Sequence, residues 1–552
     1  MRARIEAGIV YSPYTYSPLA YDGTLYDYLM ERLAAHGART ALICGSDKLT
    51  YWELRDKLQR CASGFHHRGI GKGDRVFMHI DNSIESFVAV CSVPLTGATL
   101  VSSDIMWRED DIIDKIERSG ATHVLTNASH IEMFTRIISH CNIKKAFVVG
   151  EKRYDFNSVF EFVGNDESLN ENEKFDHGDC TFVEWTTGTT GASKGVEFRE
   201  ERFLRQISCV ADTEMFACND VFLGDCNISS FMVFFLWLLA LHPGSTIAIS
   251  RTCDSVPLDL FDVMKDCKAV TIVSFPSRLR RMLNFMKTSE DWDIVLRKSL
   301  RRIMIVGSVT PPALAEELAS TFQLDELRSI YGMAEAAGFM TLPPKGEVSG
   351  TNAGFPIPGA RIKIIDTTSS KVLGPMQCGE VLFNTPLAAT GYCGHLEAAT
   401  DFMDTEGWIH TGDLGYYDHD GRLFLCGRLK TMLVCQTRKV SPSEIEHCLM
   451  EHAAVEEVVV LGIPSPCDEE LPAALVVTKR GYSQDQRLAD VLKHYVADRM
   501  ASFMHLHGGV YFAEALPRNT RGKVRATSLR ELLGKLRRMD STDESAAGDC
   551  IY

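Results

Sequence analysis

Thr186-Thr187-Gly188-Thr189-Thr190-Gly191-Ala192-Ser193-Lys194-Gly195 follows the apolar-rich run Phe182 to Trp185. Its glycines permit close backbone approach to an anion, its four threonine hydroxyls supply donors, and Lys194 neutralises charge. Together they describe a cradle for a polyphosphate. The stretch is not a Walker loop, because Ser193 rather than glycine precedes Lys194. The bland alternative is a flexible polar turn carrying a solvated lysine.

Outward from this loop, short apolar or β-branched runs recur on both sides. Arg75 to His79, Thr99 to Ser102, Thr122 to Thr126 and Lys145 to Val149 precede it; Ser245 to Ser250, Ala269 to Val273 and Arg302 to Val306 follow it. Helical patterns such as Tyr51 to Phe65 alternate with these runs, which predicts buried parallel strands in a large α/β region. Phe231 to Leu241 is too short to span a bilayer and reads as a core helix. After Gly354 the runs shorten between Gly, Pro and Asp turns, as in Arg361 to Ile365, Gly379 to Phe383 and Arg422 to Cys426, which predicts antiparallel structure. Ser441-Pro442-Ser443-Glu444 then opens a new helix, with serine as N-cap and glutamate reaching back. The expected organisation is a large domain over 1–427, a hinge at 428–430, a small α+β domain over 431–536 and a polar, frayed tail over 537–552.

Composition narrows the class. A chain of 552 residues with 45% hydrophobic and 24% charged residues is ordinary globular material in more than one domain. A net charge of -15 does not suit a general nucleic-acid binder. The 17 cysteines show no CxxC pairs or zinc spacing and read as reduced thiols, and the 17 histidines show no HxxxH spacing or triad signature. Met1 to Tyr14 lacks a secretory leader, and the chain ends in Cys550-Ile551-Tyr552 rather than a Ser-Lys-Leu address, so a cytoplasmic location is expected, with no transmembrane segment.

Four further motifs follow the loop in order: Tyr331-Gly332-Met333-Ala334-Glu335, Trp408-Ile409-His410-Thr411-Gly412-Asp413, Gly427-Arg428-Leu429-Lys430 and Arg521-Gly522-Lys523. With Leu49-Thr50-Tyr51 and Gly71-Lys72-Gly73-Asp74-Arg75-Val76 they cover nearly the whole chain, and it resembles the adenylate-forming superfamily of acyl-CoA and coumarate:CoA ligases, beetle luciferases and peptide-synthetase adenylation domains. The resemblance implies a fold of two α/β subdomains and a β-rich subdomain, followed by a small mobile C-terminal domain. It also implies ATP, Mg²⁺ and coenzyme A as cofactors and a small carboxylic acid as partner. In that reading Thr186, Thr187, Gly188, Thr189, Thr190, Gly191 and Lys194 cradle the phosphates, and Tyr331, Gly332 and Ala334 border the nucleotide, with Tyr331 flat against the adenine. Glu335 holds Mg²⁺, Asp413 accepts the ribose hydroxyls and Arg428 adds a cationic donor. Lys523 is the adenylation lysine, bridging two anions as charge develops between them, and Lys430 is the hinge about which the small domain turns. Ser230, Gly307 and Gly338 are the expected acid-pocket residues.

Several positions depart from the family pattern. Ala334 replaces a threonine, Ile330 replaces a glycine, and Val434, Gln436 and Thr437 stand where relatives carry Lys and Gly on the face used for thioester formation. Serines in Asp225 to Phe231 replace a His or aromatic residue bordering the acyl pocket. Loss of one donor slows such chemistry by up to about 1,000-fold without abolishing it. The expected activity is an AMP-forming acid:CoA ligase acting on a fatty or aromatic acid, with a place in fatty acid metabolism. The competing expectations are a catalytically degenerate nucleotide- or acyl-binding protein and an adenylating enzyme that loads a carrier-protein thiol in trans.

Overall fold

The computed structural model describes residues 1–16, 23–105, 107–164, 180–186, 193–211, 213–224, 227–251, 263–287, 290–393, 402–429, 433–435, 438–464, 470–518, 524 and 526–540. Two largely parallel sheets carry the α/β region. In the first, Arg75–His79 pairs in parallel with Thr99–Val101 on one side and His123–Asn127 on the other, and Thr99–Val101 passes the pairing to Phe182–Thr186. In the second, Glu326–Ser329, Arg302–Ile305, Thr271–Ser274, Val221–Gly224, Thr246–Ile249 and Thr40–Cys44 run parallel in that spatial order. Their β-branched and apolar side chains are buried, as parallel strands covered on both faces require. The chain is therefore α/β, with a large N-terminal and a small C-terminal domain.

Phe231–Leu241 is the helix that joins the two sheets. Every residue in it except Met232 is buried, so an all-round apolar helix is satisfied in a protein core rather than in lipid. Phe231 stacks on Phe198 at 4.1 Å, and Trp237 stacks on Phe87 at 4.6 Å. Among the described residues no helix is long and apolar enough to cross a membrane. Thr50 caps the helix Tyr51–His67 with a reciprocal Glu53 bond, and the buried Tyr51 hydroxyl donates to the Ser245 carbonyl at 2.6 Å.

The expected antiparallel region is a six-stranded sheet of Arg4–Glu6, Ile9–Tyr11, Arg361–Ile365, Gly379–Asn384, Ile409–Tyr417 and Leu423–Arg428. The first strands of the chain thus pack beside strands more than 350 residues away, as with Val10 opposite Ile362. The small domain follows, with Val455–Pro464 paired to Glu470–Thr478 and that strand paired to Gly509–Phe512.

Two expectations change here. Ser441 is the N-cap of helix Pro442–Met450, but its hydroxyl makes no capping bond; it donates to the Cys426 carbonyl at 3.4 Å and so ties the small domain to the last strand of the large one. The tail does not begin at Arg537. Asp540 is buried, takes the Val510 amide at 2.9 Å and pairs with Arg538 at 2.8 Å, because it satisfies an otherwise open strand edge.

Glu446, on helix Pro442–Met450, accepts the Val460 amide at 2.8 Å, and burial pushes its carboxyl up to about 7. The folded state holds this proton to higher pH than the unfolded chain, so the stability it gives is full below pH 4.5 and lost as pH rises through about 7. Glu446→Gln keeps an oxygen for Val460 without a charge. It is expected to shrink the loss of stability between pH 5 and pH 8 by ~1–3 kcal/mol. Urea unfolding at the two pH values measures this, and an unchanged difference would contradict it.

Candidate active site

The site is built where strands end. Thr186 closes the strand Phe182–Thr186, stands opposite Lys194 in the antiparallel register, and donates from its hydroxyl to the Lys194 carbonyl at 3.3 Å. The stem of the phosphate loop is thereby fixed at the carboxyl end of a parallel strand, where α/β sheets collect ligands. Thr187, Gly188, Thr189, Thr190, Gly191 and Ala192 lie outside the described residues. Arg118 donates to the Ser193 carbonyl at 2.6 Å and lies 5.1 Å from the Trp185 ring, with Lys115 also 5.1 Å from that ring. These cations, which sequence reasoning did not single out, place positive charge beside the loop.

Tyr331 begins one residue past the parallel strand Glu326–Ser329, where the Ile330 amide is held by the Ile305 carbonyl at 2.8 Å. Tyr331–Met333 then pairs antiparallel with Gly338–Leu342. Gly332 is required for this turn: a Cβ there would stand 2.3 Å from the Gly338 carbonyl oxygen, a backbone atom with no room to retreat. Gly332→Ala is expected to destabilise the chain by ~2–4 kcal/mol and to reduce nucleotide affinity; thermal unfolding with and without ATP separates the two effects.

Asp413, on Ile409–Tyr417, stands opposite Arg428 across the sheet and forms an ion pair with it at 2.9 Å. The Tyr331 hydroxyl donates to the other Asp413 oxygen at 2.6 Å. Burial, with the adjoining carboxylate, pushes the Tyr331 phenol well up, so it stays protonated and remains a donor. Each Asp413 oxygen keeps a lone pair for a further donor, which leaves both able to receive hydroxyls.

Glu335 lies in the short turn Ala334–Ala336, and Ala337 beyond it is left-handed at φ 63°. Its carboxylate accepts the Tyr392 hydroxyl at 3.0 Å, and the Lys194 ammonium lies 4.4 Å from the Tyr392 ring centre. Tyr392 is reached because Gly391–Tyr392 pairs with the strand Lys194–Phe198. Sequence reasoning missed Tyr392; nothing in its spacing links it to either charge. Glu335 is one carboxylate with an oxygen to spare, which fits a hard cation that takes its remaining ligands from phosphate and water. Among the described residues no group of three or more His, Cys, Asp or Glu could hold a metal by itself.

The expected pocket residues divide. Ser230 is the half-buried N-cap residue of Phe231–Leu241, Gly307 is exposed just past Val306, and Gly338 faces Phe235 and Gln206. The apolar cleft in this region is lined instead by residues that include Met232, Leu236, Trp237 and Val306, so none of the three named residues forms its wall. The reason is helical geometry: Phe235 and the Met232–Leu236 pair lie on different faces of one helix. Lys430, Gln436, Thr437 and Lys523 lie outside the described residues, as does the Val434 side chain.

This is the arrangement of an adenylate-forming enzyme, and the comparisons agree. The family model for AMP-binding enzymes matches residues 29–393, and that for the AMP-binding enzyme C-terminal domain matches residues 444–523. The chain belongs to the AMP-binding enzymes of the adenylate-forming superfamily. It is 25% identical over 551 residues to the luciferin 4-monooxygenase of Nipponoluciola cruciata, covering 96% of this chain and 98% of that one. It is 26% identical over 528 residues to 4-coumarate–CoA ligase 3 of Oryza sativa subsp. japonica, covering 92% of each. The anthranilate CoA ligase AuaEII, solved with anthranoyl-AMP, shares the fold at a TM-score of 0.82, with 19% identity over 92% of this chain and 97% of that one.

Proposed function

We propose that this chain is an ATP-dependent acid:thiol ligase that activates a carboxylic acid as acyl-AMP and passes the acyl group to coenzyme A. The observation that carries the reading is the meeting of Lys194 and Glu335 on Tyr392, a cation and an anion brought from separate elements to the stem of the phosphate loop. Lys194 neutralises phosphate charge, and Asp413, oriented by Tyr331 and Arg428, receives the ribose hydroxyls. Glu335 would hold Mg²⁺, which supplies charge neutralisation on the phosphates when bound. In the first step an oxygen of the acid attacks the α-phosphorus, the bond to the β-phosphate bridge breaks, and pyrophosphate leaves. Lys523 stabilises the charge that develops between the two anions. In the second, the thiolate attacks the acyl carbonyl and AMP leaves, after the small domain turns about Lys430.

The acid is aromatic in this reading, since coumarate, luciferin and anthranilate name the acids or products of the similar proteins. Acid-dependent pyrophosphate release from ATP, measured with pooled aromatic, fatty and amino acids, is the test. Release that requires acid supports the reading. Silence across the pools together with retained ATP affinity would replace it with a nucleotide-binding protein, the reading that Ala334 favours by lacking a hydroxyl near the phosphates.

A further inference from the structure

Between the helix Phe231–Leu241 and the carboxyl ends of three parallel strands lies a narrow apolar cleft, lined by Gly224, Met232, Leu236, Trp237, Val273 and Val306 among others. Its place ties it to the site. Val306 directly precedes Gly307, and Met232 belongs to the first turn after Ser230. The strands Arg302–Ile305 and Glu326–Ser329 that border this end also deliver Tyr331.

The cleft is small, with about 10 Å³ free for a water-sized body, room for one such body and no more. Its one strong polar side-chain atom is Trp237 Nε1. Trp237 is fully buried, stacked on Phe87, and its Nε1–H has no acceptor. Buried indole N–H groups are normally partnered, and each exception calls for a physical cause. The indole nitrogen lies against Gly224, where a Cβ would stand 3.0 Å away, so glycine at this strand end keeps the approach to the donor clear. One donor is too few partners for a buried water, whereas it suits an acceptor carried in at the tip of an otherwise apolar molecule.

We infer that Trp237 is a specificity-determining residue of the acid site: it floors the acyl cleft and selects compact acids whose far end carries a hydrogen-bond acceptor, such as a ketone or ether oxygen. The inference rests on the acid-activating reading above. A long unbranched chain has no room past the indole, and a compact acid with an apolar tip leaves the buried donor unmet, the situation in which a polar site rejects an analogue most strongly.

The test uses full-length protein and near-isosteric acid pairs that differ in the terminal oxygen: 4-oxopentanoate with 4-methylpentanoate, and 4-acetylbenzoate with 4-isopropylbenzoate. Wild type is expected to favour the oxygen-bearing member of at least one pair by about tenfold in kcat/KM for pyrophosphate release. Trp237→Phe, which keeps the stacked ring and loses the N–H, is expected to bring that ratio near one. The space it opens affects both members of a pair alike, so the ratio isolates the donor. Gly224→Ala, which crowds the donor, is expected to lower activity on the oxygen-bearing member more than on its partner. Pyrophosphate release with equal preference within both pairs, or a preference that survives Trp237→Phe, overturns the inference and leaves the ligase reading standing. If no acid supports pyrophosphate release, the ligase reading falls, and the same ratios taken as Kd by calorimetry decide the role of Trp237 by the same criterion.

Discussion

Lys523→Ala is expected to cut acid-dependent pyrophosphate release by about 1,000-fold while leaving thioester formation from synthetic acyl-AMP within about threefold of wild type. The asymmetry follows from where charge develops. Two anions, the acid and the α-phosphate, must approach in the first step, and a cation between them is worth most in the transition state. In the second step the leaving group is AMP and the nucleophile comes from elsewhere, so the same cation has little left to stabilise. The loop Asn519-Thr520-Arg521-Gly522-Lys523 is fastened at its base, where Arg518 bridges to Val524 and pairs with Glu457 at 3.1 Å. That anchoring carries the lysine with the small domain as a unit. Single-turnover assays of each half-reaction measure the two rates. Equal loss in both would contradict this division of labour and point to a general loss of the fold, which circular dichroism and thermal unfolding would register.

The elements legible in the sequence were those whose signal is local. A continuous apolar run such as Phe231–Leu241 announces burial whatever surrounds it, and the β-branched runs Thr271–Ser274 and Arg302–Ile305 announce parallel strands because both faces must be covered. The motifs bearing Lys194, Tyr331, Glu335, Asp413 and Arg428 were legible for the same reason. What could not be read was partnership across the fold. Asp413 meets Arg428 because of a strand register that contains a bulge, and it meets Tyr331 because two sheets converge. Tyr392 reaches both Lys194 and Glu335 through the pairing of Gly391 with Glu197, which no spacing encodes. The serine at 441 looked like a helix cap, but a nearby carbonyl at the domain junction won its hydroxyl. The polar end of the chain looked frayed because composition does not reveal that Asp540 has a strand amide to satisfy. The acid pocket was misplaced among Ser230, Gly307 and Gly338 because the face of the core helix that turns toward the cleft is set by packing, not by the identity of its uniformly apolar residues.

Asp413→Ala is expected to lower kcat/KM for ATP by about 100-fold and to abolish discrimination between ATP and 2′-deoxy-ATP, because both carboxylate oxygens that would receive the ribose hydroxyls are removed at once. Tyr331→Phe is the milder companion. It takes away one donor that fixes the carboxylate, leaves the flat ring in place, and is expected to cost about fivefold with discrimination retained. Arg428 is half exposed, so water takes over its solvation when Asp413 is truncated, and the loss falls on binding rather than on stability. A nucleotide panel of ATP, 2′-deoxy-ATP and 3′-deoxy-ATP with the three proteins separates the roles. If Asp413→Ala weakens ATP, 2′-deoxy-ATP and 3′-deoxy-ATP by the same factor, the carboxylate orients Tyr331 and Arg428 without touching the ribose. A loss confined to the hydroxyl-bearing nucleotides would instead place Asp413 on the sugar, and the extent to which Tyr331→Phe reproduces it would measure how far the 2.6 Å bond holds that carboxylate in position.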